Sequence, residues 1–439
     1  MNVNKQFLSY VIPSILAFAL SGVYAIVDGY FIGNSIGDIG LSTINIAYPI
    51  TASIQAIGTG IGMGGGVYFS INKAKKKEEE AKEFVAGTLW MLILSSFIVT
   101  IFLCLLKTPI LKLLGAEGEL LSLGEDYVFI IALGTCLQIF STGLVPLIRN
   151  NGGSTFSMIT MVIGFITNII LDYLFVWVYE WSTVGAALAT IVGQGVAMII
   201  GLIYLFYKGQ INFKILVSKI SKVSKSIIKV GIAPFGLAVT PNFSLILINR
   251  FSVFYGGEKA IAVYACISYV ICIVYLILQG IGDGSQPLMS KYYGEKDIEK
   301  IQYIRRLAYG FAILISAVSI VILFVLRGKV GVLFGASNEV IQGVADVFPI
   351  FLIGIPFIAI TRITTAGFYA TEKNIFSYIL TYIEPVAMLA FMLILPPLFG
   401  GQKMIWWSTT LSRVFSAVLA VIFKIRVEKS EKILQYNCS

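Results

Sequence analysis

Long apolar runs alternate with short polar breaks from one end of the chain to the other. Twelve of them are long enough to cross roughly 30 Å of hydrocarbon: 7–32, 44–71, 84–106, 122–148, 156–179, 184–207, 227–254, 260–289, 303–326, 341–370, 376–399 and 404–425. They are too long and too continuous for barrel strands, which alternate over about 10 residues. A helix satisfies its own backbone hydrogen bonds in lipid, so the pattern predicts an all-α membrane protein of 12 transmembrane helices. The first run is too long for a signal-peptide core and carries no small-residue cleavage site.

The polar breaks set the orientation. With both termini placed inside, the inner segments hold 23 of the 32 lysines and arginines, the outer loops hold 6, and Arg250, Arg362 and Arg413 fall within spans. Positive charge collects on the cytoplasmic side. The pattern therefore predicts a multi-pass protein of the cell inner membrane with both ends in the cytoplasm. The Lys73–Lys82 run, interleaved with glutamates, reads as a solvated helix between spans two and three.

The pattern also repeats. A shift of 220 residues aligns Leu113-Leu114-Gly115-Ala116 with Leu333-Phe334-Gly335-Ala336, Asp126 with Asp346, Gly134 with Gly354, and Phe156-Ser157 with Phe376-Ser377. A nearby shift pairs the segment from Gln55 to Gly60 with that from Gln279 to Gly284. Each half holds an even number of spans, so the halves share one orientation, as in transporters built from parallel repeats. The expected organisation is an N-lobe over 1–207, a cytoplasmic linker over 208–226, a C-lobe over 227–425 and a cytoplasmic tail over 426–439.

Composition agrees with lipid as the solvent. Only 13% of the 439 residues are charged and 57% are hydrophobic, where a soluble domain carries about a quarter charged residues. The net charge of +9 sits in short loop runs and comes with no recognition motif, so nucleic acid is not an expected partner. The five cysteines form no CxxC pair and the chain has no histidine, which argues against a structural zinc site. The glycine-rich run from Gly58 to Gly66 lacks the Gly-Lys-Ser/Thr ending of a phosphate loop. No cofactor and no enzymatic activity are expected, and energy would come from an ion gradient, H+ or Na+.

A charge in the middle of a bilayer costs several kcal/mol, so each ionisable residue inside a span needs a reason. The acids read there are Asp28, Asp172 and Glu384. Asn168 and Asp172 stand four apart on one face of span five, as do Ala186 and Thr190 in span six. Small residues in span six let the two helices approach closely. Carboxylates beside an amide and a hydroxyl suit a small hard cation. They suit a proton equally well, because one shared proton relieves the repulsion of two acids. On the bland reading, Asp28 and Asp172 are helix-end groups bonded to water. Glu384 has no twin in the first half: it is either a second coupling or substrate-binding acid or the ion-pair partner of Arg362 or Arg413. Gln55 and Gln279 are further candidates for substrate contact.

Together these residues resemble the multidrug and toxic compound extrusion (MATE) family. The resemblance rests on Pro13 and the segment Asp28 to Gly33, on Tyr48-Pro49, on Asn168 to Phe175, on Gly185 to Thr190 with Gly193-Gln194, and on Gln279-Gly280, Gln286-Pro287 and Tyr293-Gly294. It implies two six-helix lobes related by a pseudo-two-fold axis around a V-shaped central cavity. It implies antiport of small cationic organic compounds, drugs and toxins among them, against H+ or Na+ by alternating access, and a role in antibiotic resistance. It places a cation-coupling site at Asp28, Asn168, Asp172, Ala186 and Thr190, with Asp28, Asn168, Asp172 and Thr190 as ligands if the ion is Na+. Some branches add carboxylates on helices seven and ten. This chain departs from them, with Arg250 on helix seven and Glu384 on helix eleven. The expected partners are a small organic substrate and membrane lipid, and the family plan works as a monomer. The alternative from the same superfamily is a flippase for lipid or lipid-linked oligosaccharide, which typically has more spans and more intramembrane arginine.

Overall fold

The computed structural model describes residues 2–211 and 213–436. Cys438 and the side chain of Lys432 lie outside the described residues. Among the described residues the chain is helical throughout, with no strand. The helices are α1 (Val3–Ser35), α2 (Gly37–Ala74), α3 (Glu78–Leu113), α4 (Gly118–Leu133), α5 (Thr135–Asn150), α6 (Ser154–Asp172), α7 (Ser182–Tyr207), α8 (Val217–Gly294), α9 (Ile298–Leu333), α10 (Asn338–Ala370), α11 (Asn374–Phe399) and α12 (Gln402–Tyr436).

These elements map onto the twelve expected spans with two local differences. Span four is a bent pair, α4 and α5 meeting at 57° around Gly134. Helix α8 is two spans in one, because Gly257 takes φ 64° and ψ −161° and breaks the helix there. By length and composition alone, 8 described helices are apolar enough to cross a membrane, and 9 if the bent pair counts as one span. Dividing α8 at Gly257 adds another. Helix α2, rich in glycine, and α12, with its charged end, complete the set.

The repeat holds in the backbone as well as in the residues. Left-handed turns recur 220 positions apart: Gly37 with Gly257, Lys76 with Lys296, Gly115 with Gly335, and Gly152 with Glu372 all have φ between 58° and 96°. Three of these eight are not glycine, so the turn geometry is set by the loop plan and not by glycine alone. The chain forms two compact units: one runs to Val239 and takes in Ser290–Glu295, the other joins Thr240–Met289 to the residues from Lys296 onward.

Helix ends on the polar breaks are capped as the chemistry requires. Glu78, Glu79 and Glu80 fill the first turn of α3, where the helix dipole is positive. Asp297 caps α9 by accepting from the Lys300 backbone N–H at 3.0 Å and pairs with its ammonium at 2.6 Å. Partial burial pushes the Asp297 carboxyl up, but the Lys300 bonds outweigh it and hold it below the ordinary carboxylate value. Its stabilisation is therefore complete above the ordinary carboxylate range and is lost as pH falls through the depressed value. Asp297→Ala is expected to cost about 1 kcal/mol at neutral pH. The gap from wild type should close in strong acid, read as thermal unfolding of the two proteins across pH.

Two charges that the sequence places at loop ends are buried. Arg149 and Arg305 are each 2% exposed. Arg305 Nη1 reaches Glu428 Oε1 at 3.1 Å, which ties α9 to the C-terminal part of α12. Arg149 lies 5.9 Å from the centre of the Phe18 ring. They are parts of the packing and add little to the solvated positive charge of the polar breaks.

Candidate functional site

In the first unit, α1, α6 and α7 bring the expected residues together. Asp172 is the last α-helical residue of α6, and the chain then winds into a π-helical turn over Tyr173–Val178. Such turns recur at functional sites because they free local backbone groups and re-aim side chains. The Ser35 hydroxyl donates to the Val176 carbonyl in that turn at 2.7 Å, pinning the end of α1 to it. Tyr24 stacks on Phe165 with centroids 4.9 Å apart, and Phe31 meets both Tyr173 and Trp177 edge-on or tilted at 6.2 Å. This aromatic seam fixes the register of α1 against α6 and points Asp28 at Asp172.

The two carboxyl groups stand within hydrogen-bonding reach of each other. Asp172 is 0% exposed and Asn168 is 3% exposed. Neither Asp172 carboxylate oxygen receives a hydrogen bond from a protein N–H or O–H among the described residues, and Asn168 Oδ1 receives none either. The Asn168 amide donates to Thr190 Oγ1 on α7 at 3.5 Å. Ala186, one turn before Thr190 on the same face, is buried. Helices α6 and α7 close tightly here: a Cβ on Gly193 would fall 2.8 Å from the Gly164 carbonyl oxygen and 3.0 Å from Asn168 Cβ. All five expected residues thus lie on the facing sides of three adjoining helices.

The structure adds residues that the sequence did not single out. The Tyr24 hydroxyl bonds with Thr190 and lies in the field of both aspartates. Tyr127 on α4 stands near Thr51 on α2 and lies in the field of the same two charges. Both tyrosines belong to the site; among 22 in the chain, only the position of Tyr24 one turn before Asp28 gave a signal. Gln55 stands one turn beyond Thr51 on α2 and is half-buried. The chemistry of the pair is plain: three buried acceptor oxygens without donors call for a proton or a small cation between them. Among the described residues no group of three or more Asp, Glu, Cys or His side chains is assembled for a metal.

In the second unit the charges are arranged differently. Asp283, 4% exposed on α8, accepts from Gln279 Nε2 at 2.8 Å and from the Tyr369 hydroxyl at 3.0 Å. Arg362 on α10 donates to Gln279 Oε1 at 3.1 Å and lies in the field of both Asp283 and Glu384. Glu384 on α11 approaches Arg413 on α12 at 3.5 Å. Of the two partners the sequence offered to Glu384, Arg413 approaches it at 3.5 Å and Arg362 lies in its field. Asp283 was missed because it sits between Gly282 and Gly284 and reads as part of the glycine repeat. Its spacing from Gln279 is the same i, i+4 step as Asn168 to Asp172, which is the signal that would have found it. Among the described residues, this half therefore meets its acids with guanidinium groups, while the first half leaves two acids facing each other.

The MatE family model matches residues 13–174 and again 234–394. The chain belongs to the MatE family. Each match covers the first five spans of one half, so the family's own unit recurs twice with the offset found in the turns. Among curated proteins, the multidrug export protein MepA of Staphylococcus saprophyticus is 25% identical over 439 residues, covering 98% of this chain and 96% of that protein. MepA of Staphylococcus aureus is 24% identical, with 98% and 97% covered. Among solved structures, the outward-facing conformation of a multidrug resistance MATE family transporter of the MOP superfamily superposes with a TM-score of 0.91 at 20% identity, over 98% of this chain and 97% of that one. The MatE fold is thus shared throughout, and the chain is a multi-pass membrane protein. The five residues that the family resemblance marks for cation coupling are those that the fold gathers around Asp172.

Proposed function

We propose that this MatE protein exports small cationic organic compounds in exchange for H+ or Na+. The single observation that supports this most is the buried meeting of Asp28 and Asp172, whose oxygens have each other and no protein donor at Asp172. A proton or Na+ entering between them, with Asn168 and Thr190 as further oxygen ligands for the metal ion, neutralises the repulsion and draws α1 toward α6. Loss of the ion lets the helices part. The ion therefore favours one arrangement of the lobe, and coupling follows if the organic substrate favours the other. The names of the MepA relatives support drug export over lipid flipping.

On this reading the N-lobe spans 1–207, the linker 208–226, the C-lobe 227–425 and the tail 426–439, with both termini cytoplasmic in the inner membrane. The protein works as a monomer. Gln55 and Gln279, each one helical turn or so from a charged or hydroxyl group of its lobe, are substrate-contact candidates. Purified protein in proteoliposomes should move a fluorescent organic cation when a pH or a sodium gradient is imposed separately, and one of the two should drive it. No movement under either gradient overturns the exporter reading.

A further inference from the structure

The pair formed by Glu384 and Arg413 resembles Arg305–Glu428 in its buried guanidinium, but it lies within the apolar spans and leaves two guanidinium nitrogens unfilled where Arg305 leaves Nη2 alone. Arg413 is 6% exposed. Its stem lies along Gly354 of α10, where an added Cβ would fall 2.9 Å from Arg413 Cδ, and its guanidinium sits 5.0 Å from the centre of the Tyr275 ring. Yet its Nε and Nη1 groups are buried with no acceptor among the described residues. The 3.5 Å approach to Glu384 is ionic and lacks hydrogen-bond geometry. A buried guanidinium is stable when its fork of donors is filled; here two donors are unused.

The internal repeat separates this pair from a packing role. The residues 220 positions earlier are Gly164 and Gly193, which press α6 and α7 together backbone to backbone. The same helix pair in the second half, α11 and α12, carries a carboxylate and a guanidinium in their place. Packing of this helix pair therefore does not require charge. Nearby, Asp283, Gln279, Tyr369 and Arg362 bond with one another, so the unused capacity belongs to Arg413 and to the hydroxyl of Tyr275 beside it. Glu384 also keeps 22% of its side chain exposed.

We propose that Glu384 and Arg413 form a subsite for the carboxylate-bearing end of an amphoteric organic ligand. The ligand's carboxylate fills the unused Arg413 donors, and its cationic group takes up the Glu384 charge that Arg413 releases. A ligand with one positive and one negative group leaves both buried charges compensated, whereas a simple cation leaves Arg413 without its counter-charge and a simple anion leaves Glu384 so. The proposal rests on the exporter reading and narrows its substrate class.

The test uses a matched pair of rhodamine dyes, one with a free carboxylate and the other its methyl ester, with the full-length protein. Binding is read by fluorescence anisotropy and export in proteoliposomes. Wild type should bind the free acid at least as tightly as the ester. In Arg413→Gln, and in the double variant E384Q/R413Q that keeps the net charge of the pair at zero, the acid-to-ester affinity ratio should fall about tenfold or more, the size of one lost charge-assisted hydrogen bond. Arg413→Lys keeps the charge and loses the fork, and should lower the ratio about threefold or more even if the other variants do not fold. A wild type that prefers the ester by tenfold, or variants that shift thermal stability and leave the ratio where it was, overturn the subsite. Binding and export of neither dye by wild type would overturn the exporter reading itself, whereas export of the ester with an acid-to-ester ratio that the variants leave unchanged overturns only the subsite.

Discussion

Asp172→Asn should lower gradient-driven efflux about a hundredfold or more while leaving the protein folded. The substitution keeps the shape of the side chain and removes its charge. In the wild type both Asp172 oxygens are buried without a protein donor and face a second carboxyl group at Asp28. Asparagine supplies two N–H donors to that partner and so imitates the ion-filled site permanently. With no charge left to change, loading and unloading of the ion no longer distinguish the two arrangements of the lobe. An exchanger whose ion binds both states alike transmits none of the gradient. A coupling energy of about 3 kcal/mol corresponds to roughly a hundredfold, which sets the expected loss. Stability should hold or rise, because one of two buried facing acids has been neutralised. Efflux of a fluorescent cation from vesicles, with melting temperature as the control for folding, checks both halves. Normal efflux would remove the pair from energy coupling, and a collapsed melting temperature would assign Asp172 to the fold.

The contrast between the halves explains why one carboxylate pair is singled out. The repeat gives both halves the same turns, yet Asp28 and Asp172 fall at positions whose counterparts are Ile248 and Met392. In the second half the acids Asp283 and Glu384 each have a cationic neighbour or a set of donors. A compensated charge is held in one arrangement by its partner. Two facing acids have no such partner in the protein, and their preferred separation depends on what ion lies between them.

The twelve spans were legible because each is a continuous apolar run whose length the bilayer dictates. The Asn168 to Asp172 site was legible because its acid interrupts such a run at helical spacing from an amide. Tyr24 and Tyr127 were not, since tyrosine is common in membrane helices and only the packing of α1 and α4 shows which rings reach the aspartates. Arg149 and Arg305 count with the inner polar segments in the sequence and are buried in the fold, because nothing local distinguishes an arginine at a helix end from one folded under the next helix. The π-helical turn after Asp172 also left no composition signal, and Gly134, the glycine at the bend, does not stand out among 42 glycines. Asp283 shows a different failure: a charged residue between two glycines drew attention to the glycines.

The largest loss of stability is expected from Gly62→Val on α2. A Cβ at this position would fall 1.9 Å from the Gly143 carbonyl oxygen, 2.6 Å from its carbon and 2.7 Å from its Cα. All three are backbone atoms of α5, so no side chain can swing aside. One turn earlier, Gly58 meets the Ile139 carbonyl oxygen in the same way, at 2.3 Å, so the seam is continuous. Within a membrane, close backbone approach through small residues is a main source of helix association, because lipid is as apolar as the side chains. Accepting a valine requires α2 and α5 to separate along the seam, and the buried Leu144, Leu147 and Ile148 of α5 would lose their packing with it. Overpacking of this kind costs about 3 kcal/mol or more when the obstacle cannot relax. Yield of monodisperse protein and melting temperature in detergent should both fall sharply. Gly310→Ala on α9 is the control: a Cβ there meets nothing within 4 Å, and exchanging glycine for alanine in an open helical position should stabilise by about 0.5–1 kcal/mol. If Gly62→Val were as stable as wild type while Gly310→Ala behaved as expected, α2 and α5 could not be packed backbone to backbone, and the frame that carries Thr51 toward Tyr127 beside the aspartate pair would have to be redrawn.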